Sequence, residues 1–185
     1  YTATVEMTRQ GGHLVSLLTE RVLGSPTLDL EQAKAIGQEF LARVGYPDMV
    51  PTFAQVQDGL AFVAYALRQG DVIVYPDQAK VKVALDNGEV LGFDARQYLT
   101  HHRPRTLPAP RLTADQARAG LNPSLEVSRV QLALIPDLAG TGEHLTYEFQ
   151  GKMGEDIFLV YINAETGAEE QILQLIEADG GTFTL

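Results

Sequence analysis

VKVALDNGEVLGFDARQYL, residues Val81 to Leu99, reads as an apolar strand, a polar turn carrying a glycine, and a second strand that ends in aliphatic residues. FLVYINAETGAEEQILQLI, from Phe158 to Ile176, repeats that order, and VEMTRQGGHLVSLL, from Val5 to Leu18, fits the same template. Tight hairpins need residues that tolerate positive φ, and Gly11-Gly12 and Asp86-Asn87-Gly88 supply them at the turns. Three copies of one hairpin mark an internal repeat.

Two of the hairpins follow a helix signal. Ala33, Ile36, Gly37, Phe40, Leu41 and Val44 fall on one stripe of a helix. Asp29 and Gln32 can cap its start, and Gly45 and Pro47 stop it. A shorter helix is expected in LTADQARAGLNP, with Thr113 and Gln116 as its capping pair and Asn122-Pro123 as its end. Strands are expected at Phe53 to Val56, Leu60 to Leu67, Val72 to Tyr75, Ser128 to Ile135, Leu145 to Gln150 and Glu169 to Ile176, with a turn at Pro76-Asp77. Between the two helical copies, HHRPRTLPAPR (His101 to Arg111) carries Pro104, Pro108 and Pro110 without apolar periodicity, as an extended linker does.

A helix laid across an antiparallel sheet gives an α+β module. The expected organisation is a hairpin left from a preceding repeat at 1–24, a module at 25–100, a Pro/Arg-rich linker at 101–111 and a second module at 112–185. The first copy lacks its helix and the chain opens on Tyr1, so a further N-terminal portion, with any membrane anchor, is expected ahead of it.

Composition narrows the function. With 45% hydrophobic residues in 185, the chain can bury a sizeable core. Its net charge of -10 repels polyanions, which argues against nucleic acid as a ligand. Without cysteine there is no disulfide, thiolate metal site or cysteine nucleophile. No apolar run reaches the roughly 18 residues that span a bilayer.

Residues able to carry chemistry are scattered. His13, His101, His102 and His144 have no metal-ligand spacing, and the adjacent pair is read as solvated linker. Glu165, Glu169 and Glu170, with Glu177 and Asp179 beyond, could supply an acid and a base for glycan cleavage, yet they fit the polar face of a hairpin better. Asp86-Asn87-Gly88 lacks the alternating oxygen donors of a calcium loop, and Gly140-Thr141-Gly142 is a loop rather than a phosphate cradle. Tyr65, Tyr75, Tyr98, Tyr147 and Tyr161 could form a recognition face, although ordinary sheet packing is the favoured reading. Arg103, Arg105 and Arg111 make the linker a basic island that could engage an acidic partner surface or the neighbouring module, although a merely soluble connector is the safer reading. No catalytic, cofactor or metal residue is assigned.

Several stretches, in order, resemble the C-terminal PepSY-domain region of the YpeB family of spore germination proteins: VIVYPDQAKVKVALDNGEVLGFDARQYL (Val72 to Leu99), LTADQARAGLNP (Leu112 to Pro123), LTYEFQGK (Leu145 to Lys152) and YINAETGAEEQILQLI (Tyr161 to Ile176). SPTLDLEQAKAIGQEFLARVGYPDM (Ser25 to Met49) is similar to the helix that opens a PepSY repeat. The resemblance implies tandem PepSY-like modules without catalytic residues, lying between the spore inner membrane and the cortex. It also implies a partner, a cortex-lytic peptidoglycan hydrolase of the SleB type that the protein would stabilise and restrain. A sensor for peptidoglycan fragments, or a PepSY-type peptidase inhibitor, are the alternatives.

Overall fold

The computed structural model describes residues 2–137, 139–178 and 181–184, with side chains through Ile176 apart from residue 138. In chain order the elements are β1 (Ala3–Met7), β2 (Leu14–Thr19), α1 (Leu30–Arg43), β3 (Met49–Gln57), β4 (Leu60–Gln69), β5 (Val72–Ala84), β6 (Val90–Asp94) and α2 (Arg96–His101). They continue with α3 (Ala114–Arg118), β7 (Glu126–Pro136), β8 (Glu143–Met153), β9 (Asp156–Asn163), β10 (Glu169–Ala178) and β11 (Gly181–Thr184). The chain divides into two compact units: residues up to Arg68 with Pro76–His102 and Gly181, and Gln69–Tyr75 with Arg103–Ala178 and residues 182–184.

In the first unit the strands follow the order β1-β2-β6-β5-β4-β3. The β1–β2 hairpin therefore shares a sheet with the first helical copy, Ser16 facing Asp94 and Leu18 facing Gly92. Helix α1 lies on one side of that sheet. Its Ala33, Gly37 and Leu41 are buried, four residues apart and so on one stripe. They meet the inward set Ala61, Val63 and Tyr65 of β4, Ala79, Val81 and Val83 of β5, and Phe93 of β6. Burying such apolar surface stabilises by about 25 cal/mol per Å². The period of two that buries these residues sends Phe62, Lys80, Lys82 and Asp94 to the opposite face.

In the second unit β7, β8, β9 and β10 pair antiparallel in sequence. Val72–Val74 of β5 run parallel to Leu132–Leu134 of β7. Phe149, Val160, Ile162, Ala164 and Ala117 form one core cluster. Ala133, Ile135 and Tyr161 form another, with Tyr75 against it.

Local chemistry repeats between the units. Asp29 and Gln32 make a reciprocal capping box on α1, and Thr113 and Gln116 make the same box on α3. Just ahead of each cap, two backbone amides bind one turn carbonyl: Thr27 and Leu28 bind Leu85 O, and Arg111 and Leu112 bind Ala164 O. The turns close alike, Gly88 N–H reaching Ala84 O at 2.8 Å and Gly167 N–H reaching Asn163 O at 3.0 Å. Both glycines are left-handed, at φ 79° and 77°. A Cβ on Gly88 would meet only the far ends of the Ile36 and Leu28 side chains, which can shift, so it is the left-handed backbone that calls for glycine there.

Two expectations are corrected. The turn placed at Pro76-Asp77 is strand, because β5 runs unbroken from Val72 to Ala84; Pro76 sits between the residues that pair with β7 and those that pair with β6. The stretch Arg96 to His101, taken as strand end and linker start, is the short helix α2, whose Arg96 N–H is held by Asp94 Oδ1 at 2.9 Å. Tyr98 and Leu99 pack from it onto the core.

Candidate functional site

The face of the first unit's sheet opposite α1 is concave and encloses a groove of about 610 Å³. Adjacent strands contribute facing pairs to it: Glu6 with Ser16, Ser16 with Asp94, Asp94 with Lys80, and Gly92 with Lys82. Farther along the groove, Gln55 of β3 faces Phe62 of β4, with Phe53 beside them. Gly92 matters to its shape, since a Cβ there would lie 3.1 Å from Lys82 Cβ and raise the floor.

Charge in the groove is unevenly satisfied. Arg96 bridges Glu6 and Asp94, and Ser16 donates to Glu6 at 2.8 Å. Those hydrogen bonds, from Ser16 first and then Arg96, hold the Glu6 carboxyl below its ordinary range. Lys82 Nζ stands 5.3 Å over the Phe62 ring. Gln55 Oε1 is buried without a hydrogen-bond partner among the described residues.

The histidines are spread through the structure. His13 belongs to the β1–β2 turn, where its amide binds Thr8 Oγ1. His101 Nδ1 lies 2.9 Å from Gln97 O at the end of α2. His102, read as solvated linker, instead stacks on Tyr98 with centroids 4.5 Å apart and meets the fully buried Asp77 at 2.6 Å. His144 stands 3.9 Å from Glu170, which accepts from Asn163 Nδ2 at 2.6 Å. Among the described residues, no group of three or more His, Asp or Glu is arranged to hold a metal.

Of the acidic candidates, Glu165 pairs with Arg111 at 3.1 Å on an exposed turn, and Glu169 lies exposed at the start of β10. The Glu177 side chain and Asp179 lie outside the described residues. Asp86 is held by Arg21 at 2.6 Å and by Gly24 N–H, a pairing that pins the segment ahead of α1 to the turn. Arg21 first, then Gly24, push its carboxyl well below the usual range. Gly140-Thr141-Gly142 curls around Asp137, which binds Thr141 N at 2.8 Å.

The tyrosines face inward rather than forming a recognition surface. Tyr65 OH donates to Lys34 O and Tyr147 OH to Leu112 O, each at 2.8 Å. Tyr98 packs edge-on to Tyr46, and Tyr75 sits edge-on to Tyr161 and donates to Glu148 at 2.5 Å. Glu148 is only 1% exposed and also takes Gln131 and Arg129. Burial first, and then this carboxylate, raise the Tyr75 phenol.

The basic linker is not free chain. Arg105 and Arg103 both bind Glu143, at 2.8 and 2.9 Å, and the Arg105 side chain is only 5% exposed. The Arg105 hydrogen bond leads in lowering the Glu143 carboxyl.

Residues 1–108 match the family model described as YpeB sporulation, PepSY1 and PepSY2 domains. The chain belongs to the YpeB sporulation family. Residues 111–173 of this YpeB-family chain match a second model, the peptidase propeptide and YPEB domain. It is similar to the sporulation protein YpeB of Halalkalibacterium halodurans, 39% identical over 95% of the chain and 39% of the relative. It also resembles the YpeB of Bacillus subtilis, 36% identical over 95% of the chain and 39% of the relative. The chain thus spans about two-fifths of the length of these relatives. Among solved structures it is similar to the Bacillus megaterium YpeB C-terminal domain, with a TM-score of 0.84 at 30% identity, covering 95% of this chain and 77% of that one. That likeness bears out the α+β PepSY architecture. Among the described residues, no helix is long and apolar enough to cross a membrane.

Proposed function

We propose that this YpeB-family chain is a non-enzymatic holding protein that binds, stabilises and restrains a cortex-lytic peptidoglycan hydrolase of the SleB type. It would act between the spore inner membrane and the cortex. The observation that carries the reading is the groove opposite α1: large enough for a partner's side chains, yet without an acid and base poised for chemistry. General acid–base work needs a group whose pKa lies near the operating pH. Glu6 is held the other way, by Ser16 and Arg96, and Asp94 is bound to the same arginine. Ser16 gives its proton to that stabilised carboxylate, a poor base for making a nucleophile. The match to a peptidase propeptide model supports the holding role, since such segments act on an enzyme rather than as one.

The test uses purified cortex peptidoglycan, a SleB-type hydrolase and this chain. The chain alone should release no muropeptides. Mixed with the enzyme, it should slow cleavage or lengthen the enzyme's half-life on warming. An enzyme unchanged in both rate and half-life overturns the reading.

A further inference from the structure

We infer that the groove of the first unit binds an extended acidic peptide segment, with carboxylates two residues apart next to an aromatic or aliphatic side chain. Three observations on one surface carry this. The chain has a net charge of -10, yet the groove holds three cations against two carboxylates. Arg96 satisfies both of those carboxylates. Lys80 and Lys82 are left with no ion pair among the described residues, so the groove offers positive charge to a ligand.

Spacing selects the form of that ligand. Lys80 and Lys82 are alternate residues of β5, so their stems leave the same face roughly 7 Å apart. An extended peptide lying along β5 repeats its own side chains at the same interval and so presents Glu-x-Glu or Asp-x-Asp in register.

Chemistry selects the rest. Phe53 and Phe62 stand beside the lysines as an apolar platform. Gln55 Oε1, facing Phe62 across the strand pair, is buried and unpartnered and calls for an N–H donor, which a peptide backbone supplies. Gly92 keeps the floor low opposite Lys82 so that the chain can lie close. The inference rests on the holding function to the extent that the segment would belong to a held protein, but its test needs no hydrolase.

The test is fluorescence anisotropy with the whole chain and a short labelled peptide containing Glu-x-Glu-Phe, beside its Gln-x-Gln and Lys-x-Lys counterparts. The acidic peptide should bind saturably and weaken as salt is raised. Its Gln-x-Gln form should bind about tenfold more weakly, as should the Lys82→Glu and Lys80→Glu chains. Lys80→Gln gives a milder variant should charge reversal opposite Asp94 disturb the fold, and Lys152→Glu on β8 should bind as the parent does. Equal binding of acidic and basic peptides overturns the inference, as does full affinity in both Lys80→Gln and Lys82→Glu. Binding of muropeptides at Lys80 and Lys82 with none of the acidic peptide also overturns it and assigns the groove to a glycan. Loss of peptide binding in a variant that still protects the hydrolase would separate the two functions, because the holding role would then lie elsewhere.

Discussion

Gly37 sits in the middle of α1, where helix propensity alone says that alanine should be better. Gly→Ala in a helix interior is worth about 1 kcal/mol of stabilisation. The structure reverses that sign. A Cβ on Gly37 would stand 2.2 Å from Tyr65 Oη and 2.9 Å from its Cζ. Tyr65 is fully buried, and its hydroxyl donates to Lys34 O at 2.8 Å across the helix–sheet interface. Making room requires the ring to swing away or α1 to lift off the sheet. Either loses that hydrogen bond and leaves a buried hydroxyl unpaired, a cost of roughly 1 to 3 kcal/mol, with overpacking adding about 1 to 3 more. Against the propensity gain, Gly37→Ala should destabilise by about 1 to 5 kcal/mol. Tyr65→Phe should cost about 1 kcal/mol. The double variant should cost less than the sum by at least about 1 kcal/mol, because removing the oxygen relieves the tightest contact. Urea unfolding of all four chains by far-UV circular dichroism measures the cycle. A Gly37→Ala chain more stable than the parent would refute this account of how α1 docks, as would strict additivity.

Further outcomes follow from the ion pairs. The Asp86 carboxyl lies below its unfolded value, so its stabilisation is present above about pH 4, the unfolded carboxylate pKa, and disappears as pH falls through the folded value. Asp86→Asn should therefore lower the melting temperature near pH 7 and flatten its decline toward pH 2, which a thermal melt series reads directly; an unchanged acid slope would contradict the pairing with Arg21. Glu148→Ala removes the buried acceptor that Tyr75 and Gln131 share and should cost about 1 to 3 kcal/mol, with Glu148→Gln milder, by urea unfolding.

What could be read from the chain was local. The capping pairs Asp29/Gln32 and Thr113/Gln116 and the glycines of the hairpin turns act over a few residues, so their chemistry is written in order along the sequence. The repeat followed from them. Hidden were the partners that meet only after folding: Asp77 under His102, twenty-five residues apart, and Glu143 under Arg105, thirty-eight apart. Pro76-Asp77 misled because a proline before an acid is turn chemistry in isolation, and nothing nearby tells that β5 continues to Ala84. The groove had a visible trace in AKVKVA, where Lys80 and Lys82 alternate with buried residues. Placing Phe53, Phe62 and Gln55 beside them required the register of β3 on β4, which no local pattern encodes.

The most direct test of the holding function is calorimetric titration of this chain into a purified SleB-type cortex-lytic hydrolase, in the absence of peptidoglycan. The account predicts saturable binding at a fixed stoichiometry, with the hydrolase melting at a higher temperature in the complex than alone. No heat of binding and no shift in melting, with both proteins folded, would contradict it.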